Sequence, residues 1–266
     1  MHKLPIALTV AGTDPTGGAG VLADSKAFHS RGVYGMAAVT SLTAQNTMGV
    51  QDVFNVPAGF LEKQLYSIFS DEVPHAMKSG MIATVEMMEV LAETVKNNDI
   101  PFIIDPVMIA TSGDTLVEEK SIEFLRESLL PIATNVTPNI HEAEKITEHK
   151  IKGESDVRKA AKIFLYEIGL SSVTIKGGHL DGDAVDYLFT RDNEVVLSEP
   201  RIDTNHTHGT GCTFSAVMTA ELAKGKTMEE SFRLAKRYIT SAIKNNPGIG
   251  KGNGPVNHFS FKEENK

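Results

Sequence analysis

Apolar, β-prone runs alternate along the chain with longer segments in which hydrophobic residues recur at helical spacing, and Gly, Pro, Asn or Asp marks each switch. The first run, 6–11, is almost wholly apolar, as expected of a strand covered on both faces. A glycine-rich turn over 12–20 follows, then a helix over 21–31 with Val21, Leu22, Ala27 and Phe28 on related faces. Further strands are predicted at 37–42, 53–56, 76–79, 102–105, 135–137 and 172–176. Helices are predicted at 59–70, 84–97, 119–130, 140–148 and 156–168.

After Lys176 the rhythm changes. Segments 184–190 and 194–198 flank Arg191, Asp192 and Asn193 and read as an antiparallel hairpin at a sheet edge. Two helices, 212–224 and 227–245, then follow each other directly. A (β/α)8 barrel suits a chain of 266 residues but not a late hairpin or consecutive helices. The pattern predicts an α/β fold: an open, mostly parallel sheet with helices on both faces and an antiparallel edge hairpin. With no repeat, linker or low-complexity tract, 1–266 reads as a single domain whose polar tail, 259–266, frays.

Composition narrows the partners. Hydrophobic residues make up 41% and charged residues 23%, enough apolar material for a sizeable core. Lys and Arg number 26 against 34 Asp and Glu, so the net charge of −8 has the wrong sign for nucleic acid or an anionic membrane, and a small-molecule partner is expected. Lys224, Lys226, Arg233, Lys236 and Arg237 fall at helical spacings and read as a solvated face. The lone cysteine, Cys212, excludes an intrachain disulfide and suits a reducing cytoplasm. The first residues lack an export-signal core, and the longest uncharged stretch, 32–51, is broken by polar residues and glycine, so neither export nor a membrane span is expected.

The strongest chemical signal is His208-Gly209-Thr210-Gly211-Cys212-Thr213, directly before a predicted helix. Two glycines there leave backbone amides bare at a helix N-terminus, where a phosphate or developing negative charge is favoured. The same field is expected to lower the Cys212 thiol and make it a better proton acceptor; the alternative is a glycine loop ending in a buried small residue. The AGTDPTGGAG run over 11–20 lets a ligand approach main chain or simply turns tightly, and is neither a Walker A loop nor G-x-G-x-x-G. Asn139 and Glu142, three apart at a helix start, suit Mg2+ or form an ordinary capping box. Asp105, at a strand end, is a metal ligand or a turn former, and Lys176, also at a strand end, can reach a phosphate. His206, His208 and Cys212 match no common zinc spacing.

Together these segments resemble the ribokinase superfamily, and within it the hydroxymethylpyrimidine/phosphomethylpyrimidine kinases of thiamine biosynthesis. The carriers are AGTDPTGGAG at 11–20, AQNT at 44–47, KSGM at 78–81, DPVM at 105–108, TPNIHEAE at 137–144, IKGGH at 175–179, HTHGTGCTFSA at 206–216 and GPVNHF at 254–259, spread over nearly the whole chain. The resemblance implies a three-layer α/β/α sandwich and transfer of the γ-phosphoryl group of ATP, with Mg2+, to the aminopyrimidine alcohol and then to its monophosphate. It implies that Gly209, Thr210 and Gly211 form an anion hole and that Cys212 stands where sugar kinases of the superfamily carry an aspartate base. It further implies nucleotide contacts from Asn139 and Lys176, metal contacts from Glu142 and Asp105, and pyrimidine contacts from Gly12, Ala19, Asp24, Gln45, Met81 and Val107. A homodimer is expected on the same ground. Pyridoxal kinase is the nearest alternative; a cysteine hydrolase using Cys212 with His208 or His206, and a non-catalytic nucleotide-binding regulator, are the others.

Overall fold

A computed structural model describes residues 4–108, 119–178 and 182–262; His179 of the IKGGH segment and 263–266 of the tail lie outside the described residues. The first strand, β1 (Ile6–Ala11), is buried along its entire length, because it lies between β2 (Tyr34–Val39) and β5 (Ala76–Ser79), parallel to both. From β5 the sheet continues in parallel through β6 (Phe102–Ile104), β7 (Asn135–Val136) and β8 (Ser172–Lys176). It is closed at one edge by the antiparallel hairpin of β9 (Ala184–Thr190) and β10 (Glu194–Glu199). The order is therefore β10-β9-β8-β7-β6-β5-β1-β2, the open sheet with an edge hairpin that the pattern predicts.

Alternate residues of β1, β5, β6 and β9 enter opposite cores, as the pleat requires. Leu8, Val10, Met77, Phe102 and Ile104 pack beneath α2 (Ala58–Phe69), α3 (Val85–Lys96), α5 (Ile140–Thr147) and α6 (Glu154–Lys162). Ala7, Ala76 and Ile103 face α1 (Gly20–Ser30), α7 (Thr210–Ala223) and α8 (Met228–Lys244), where Phe28, Phe214, Phe232 and Tyr238 fill the space. Helix α7 is buried almost all round, from Thr213 to Glu221, since the sheet, α1 and α8 each cover one side. Its small residues, together with Ala7 and Ala76, let it lie close to the strands and carry its N-terminus to their carboxyl ends.

Three expectations change. The predicted strand 37–42 is split at Thr40: β2 ends at Val39 and β3 (Ser41–Asn46) leaves the sheet to pair with β4 (Gly49–Asn55) in a separate two-stranded flap. The predicted strand 53–56 is half of that flap and not a member of the main sheet. The flap is mostly exposed, so it lacks the apolar face that would mark it in the sequence. The predicted helices 119–130 and 156–168 are each interrupted. The first is α4 (Glu119–Phe124) followed by a π-helical turn at Leu125–Leu129, and the second is α6 followed by a π-helical turn at Ile163–Ile168. Among the described residues, no helix is long and apolar enough to cross a membrane.

Candidate active site

A cavity of about 780 Å³ opens at the carboxyl ends of β1, β5, β6 and β8, beneath the flap. Its floor on one side is the start of α7. Gly209 caps that helix with φ +78°, and a Cβ there would lie 1.7 Å from the Gly18 carbonyl oxygen, so only glycine brings the two loops together. The Thr210 amide donates to Thr207 O (3.2 Å), and the helical ladder begins with Thr213 N donating to Gly209 O (2.9 Å). The amides of Gly211 and Cys212 precede that ladder, and both residues line the cavity. They are the orphan donors of a helix N-terminus, suited to phosphate.

Opposite them, Lys176 at the end of β8 donates from Nζ to Asp105 Oδ1 at 3.1 Å, and the Thr137 hydroxyl donates to the same oxygen at 3.3 Å. Gly211 lies against this pair: a Cβ on it would stand 3.1 Å from Lys176 Nζ and 3.6 Å from Asp105 Oδ2. Burial opposes the charge on Lys176, but Asp105 and Glu142 outweigh it and hold the ammonium above its usual range. Burial likewise opposes the Asp105 carboxylate, yet Lys176 and Lys78 keep it below the ordinary value. Asp105 is 2% exposed, and its Oδ2 has no hydrogen-bond partner.

Asn139 and Glu142 form a full capping box on α5. Asn139 Oδ1 accepts from Glu142 N (3.0 Å), and Glu142 Oε2 accepts from Asn139 N (2.8 Å). Both also line the cavity, so the capping box leaves them within reach of a ligand there. Burial, with Asp105 adding to it, pushes the Glu142 carboxyl up to about 7 despite the opposing pull of Lys176. Among the described residues, no group of three or more His, Cys, Asp or Glu is placed to hold a metal by itself. Mg2+ does not need one, because it is commonly held by one or two carboxylates plus substrate phosphates and water. The unpartnered Asp105 Oδ2 and the neighbouring Glu142 fit that requirement.

Cys212 overturns one expectation. It is half-buried and sits where a helix N-terminus should favour a thiolate, yet burial pushes its thiol up to about 12. Lys78 and the Gly20 backbone amide pull the other way but do not prevail, and Asp105 and Asp24 add to the rise. At neutral pH the residue is a thiol.

At the acceptor end, Gly12, Ala19, Gln45, Met81 and Val107 all line the cavity, with Thr43 and Val50 of the flap beside them. Asp24 does not. It is fully buried, with Oδ1 bound to Lys78 Nζ at 2.8 Å and Oδ2 accepting from the Thr9 hydroxyl at 2.6 Å. Both oxygens are committed to the interior, so the expected pyrimidine contact is corrected to a buried ion pair. Of the basic cluster expected to be solvated, Lys226, Arg233 and Arg237 are exposed, but Lys236 is corrected: it is buried and paired with Asp186 Oδ2 at 2.8 Å on the far wall of the cavity.

Two wall residues escape a local reading. His208 Nε2 lies 2.7 Å from Asp14 Oδ2. They are 194 positions apart, and each sits in a glycine loop legible for its backbone alone. The predicted phosphate, metal and acceptor residues other than Asp24 are thus brought to one cavity.

Comparison with known proteins places this geometry. A model of the family described as phosphomethylpyrimidine kinase matches residues 14–257. The chain is 53% identical over 264 residues to a hydroxymethylpyrimidine/phosphomethylpyrimidine kinase of Staphylococcus aureus (strain MRSA252), covering 98% of this chain and 96% of that one. Among solved structures, a Bacillus subtilis pyridoxal kinase in complex with ADP superposes with a TM-score of 0.89 at 38% identity, covering 97% of this chain and 98% of that one. A phosphomethylpyrimidine kinase from Clostridium difficile 630 superposes with a TM-score of 0.80 at 39% identity, covering 90% and 99%. With a cavity that offers helix-terminal amides at one end and an amide and apolar contacts at the other, and with relatives matching along almost its entire length, the chain belongs to the phosphomethylpyrimidine kinase family.

Proposed function

We propose that the protein transfers the γ-phosphoryl group of ATP to the hydroxymethyl oxygen of 4-amino-5-hydroxymethyl-2-methylpyrimidine, and then to the monophosphate so formed, supplying the pyrophosphate used to build thiamine. The observation that carries this reading is the position of the Gly211 and Cys212 amides on one cavity with the Lys176–Asp105 pair and Gln45. The acceptor oxygen forms a bond to the γ-phosphorus as the bond to the ADP oxygen breaks. The amides at 209–212 and the Lys176 ammonium offset the charge on the phosphoryl oxygens. Asp105 and Glu142 would hold Mg2+, which neutralises phosphate charge when bound. The hydroxyl proton passes to Cys212 in its ionised form. That form is scarce at neutral pH, so catalysis leans on positioning and charge stabilisation, as in phosphoryl transfer generally. Met81 and Val107 contact the flat ring, and the Gln45 amide both donates and accepts at its polar edge.

We further propose a cytoplasmic homodimer in which each chain acts as one kinase domain. Support for pairing comes from β2, an edge strand, and the exposed Tyr34, Leu42, Phe54 and Phe60 on its side of the molecule; sedimentation equilibrium giving a monomer mass at micromolar protein would refute it. Pyridoxal phosphorylation is the second reading, favoured by the likeness to the B. subtilis pyridoxal kinase. An ADP-release assay with the pyrimidine, its monophosphate and pyridoxal decides between the two: the largest kcat/KM should belong to a pyrimidine, and a preference for pyridoxal overturns the substrate assignment.

A further inference from the structure

The GPVNHF segment at 254–259 lies outside the helices and strands, and no step above uses it. Where its backbone groups and those just before it are spent shows what it serves. The N–H groups of Lys251 and Gly252 go to the Thr47 hydroxyl of the flap (3.1 and 3.2 Å), and that of Asn253 goes to Thr47 O (2.9 Å). Gly254 O accepts from His208 N (3.0 Å), Val256 N donates to His208 O (3.3 Å), and Asn257 N donates to Ala242 O of α8 (3.0 Å). The chain over 251–257 is thus a strap tied to the flap, to the phosphate loop and to α8. Phe261 anchors it further on, with the guanidinium carbons of Arg31 and Arg237 at 5.5 and 5.7 Å from its ring centre.

The strap carries His258 to the first turn of α7. His258 is 3% exposed, its carbonyl accepts from the Tyr238 hydroxyl at 2.7 Å, and its Nε2 is hydrogen-bonded to the Thr213 hydroxyl at 2.9 Å. Burial, with Lys26 adding to it, pushes the imidazole down to about 4, so the ring is uncharged at neutral pH. A hydroxyl inside a helix ordinarily bonds back to a carbonyl of the preceding turn. Ser215 and Thr219 of α7 do so, to Gly211 O at 3.2 Å and Ser215 O at 2.8 Å. Of the fully buried hydroxyls on that helix, Thr213 alone turns outward. It directly follows Cys212, and its own N–H makes the bond to Gly209 O that starts the helical ladder. The residue on which the phosphate-binding turn begins its ladder is therefore tied to a segment fixed at three other places.

We propose that His258 is a positioning residue for phosphoryl transfer: through Thr213 it fixes the first turn of α7 against the strap, and so holds the Gly211 and Cys212 amides in place relative to the acceptor under the flap. The assignment rests on reading those amides as the phosphate site. Its test compares His258→Leu, His258→Gln and the double variant His258→Leu/Thr213→Val with the wild type, reading kcat and both KM values by ADP release and stability by urea unfolding. His258→Leu should lose about tenfold in kcat, because a small misplacement of the phosphate site is costly in rate. Its KM for ATP should rise several-fold while that for the pyrimidine stays within about twofold, since Gln45, Met81 and Val107 stand on other elements. In His258→Gln the side-chain amide can bond the hydroxyl from either end and should recover most of the rate. The double variant leaves neither partner buried and unpaired, so its stability should return toward that of the wild type while kcat stays low. A purely structural role would make kcat follow stability instead. A kcat within about twofold of the wild type in His258→Leu or in the double variant overturns the assignment and leaves the kinase reading standing. If His258→Leu does not fold, the double variant decides. A wild type that releases no ADP with the pyrimidine, its monophosphate or pyridoxal removes the phosphate reading and the assignment with it.

Discussion

Single residues of the site carry opposed demands, and the opposition makes them testable. Cys212 has a helix N-terminus in front of it and a buried environment around it, and burial prevails, to about 12. The thiolate fraction therefore rises with pH throughout the neutral and alkaline range. Turnover of the wild type should climb with it, and Cys212→Ala should lose about 10²-fold in kcat, abolish the climb and still bind ATP; an unaltered rate in the variant removes Cys212 from the mechanism. Gly211 serves by having no side chain, since a Cβ would press on Lys176 at 3.1 Å. Gly211→Val should cost about 10²–10³ in kcat by displacing that lysine and covering the amides, which a steady-state assay at saturating ATP would read. Glu142 titrates near 7 when folded against 4.5 as a free side chain, so between those values the folded state binds more protons than the unfolded one. Its contribution to stability is present below pH 4.5 and is lost as pH rises through 7. Urea titrations of Glu142→Gln should accordingly show a flatter fall in stability across this window than the wild type. Equal slopes would mean that Glu142 is not shifted.

Among the elements, the start of α5 and the flap show what a local pattern can and cannot reveal. The spacing of Asn139 and Glu142 is enough to predict a helix start, because a capping box is made within four consecutive residues. Asn139→Ala should lower stability by about 1 kcal/mol in chemical denaturation, apart from any loss of activity. The flap is held by distant partners. The Thr47 hydroxyl accepts from Lys251 N (3.1 Å) and Gly252 N (3.2 Å), and its carbonyl accepts from Asn253 N (2.9 Å). These contacts pin the turn that sets Gln45 over the cavity. Thr47→Val keeps the shape and removes the hydroxyl, a loss of about 0.5–1.5 kcal/mol. The expected result is a several-fold higher KM for the pyrimidine with a smaller change in kcat, and an unchanged KM would show that the flap does not depend on this latch. No run of residues near 41–55 hints at it, since most polar and apolar side chains there are alike exposed or half-buried and the partners lie some two hundred positions away.

For the molecule as a whole, the alternation of buried strands and amphipathic helices was legible because β1, β5, β6 and β9 contribute to both cores, so their apolar character shows in the sequence without long-range information. The order β10-β9-β8-β7-β6-β5-β1-β2 required only the rule that ligands collect at the carboxyl ends of an open parallel sheet to place the site. What stayed hidden are pairings between segments remote in sequence: Asp14 with His208, Asp186 with Lys236, and Asp24 with Lys78. Each gives a buried carboxylate a partner and leaves no periodic trace. If the two cores are one folding unit, fluorescence-monitored and circular-dichroism unfolding curves should coincide in one transition. The most direct test of the whole account is a crystal structure with a non-hydrolysable ATP analogue and the aminopyrimidine bound together. The account predicts the terminal phosphate at the amides of Gly211 and Cys212, with the hydroxymethyl oxygen beyond it and the ring against Gln45. A triphosphate seated away from the α7 N-terminus contradicts it.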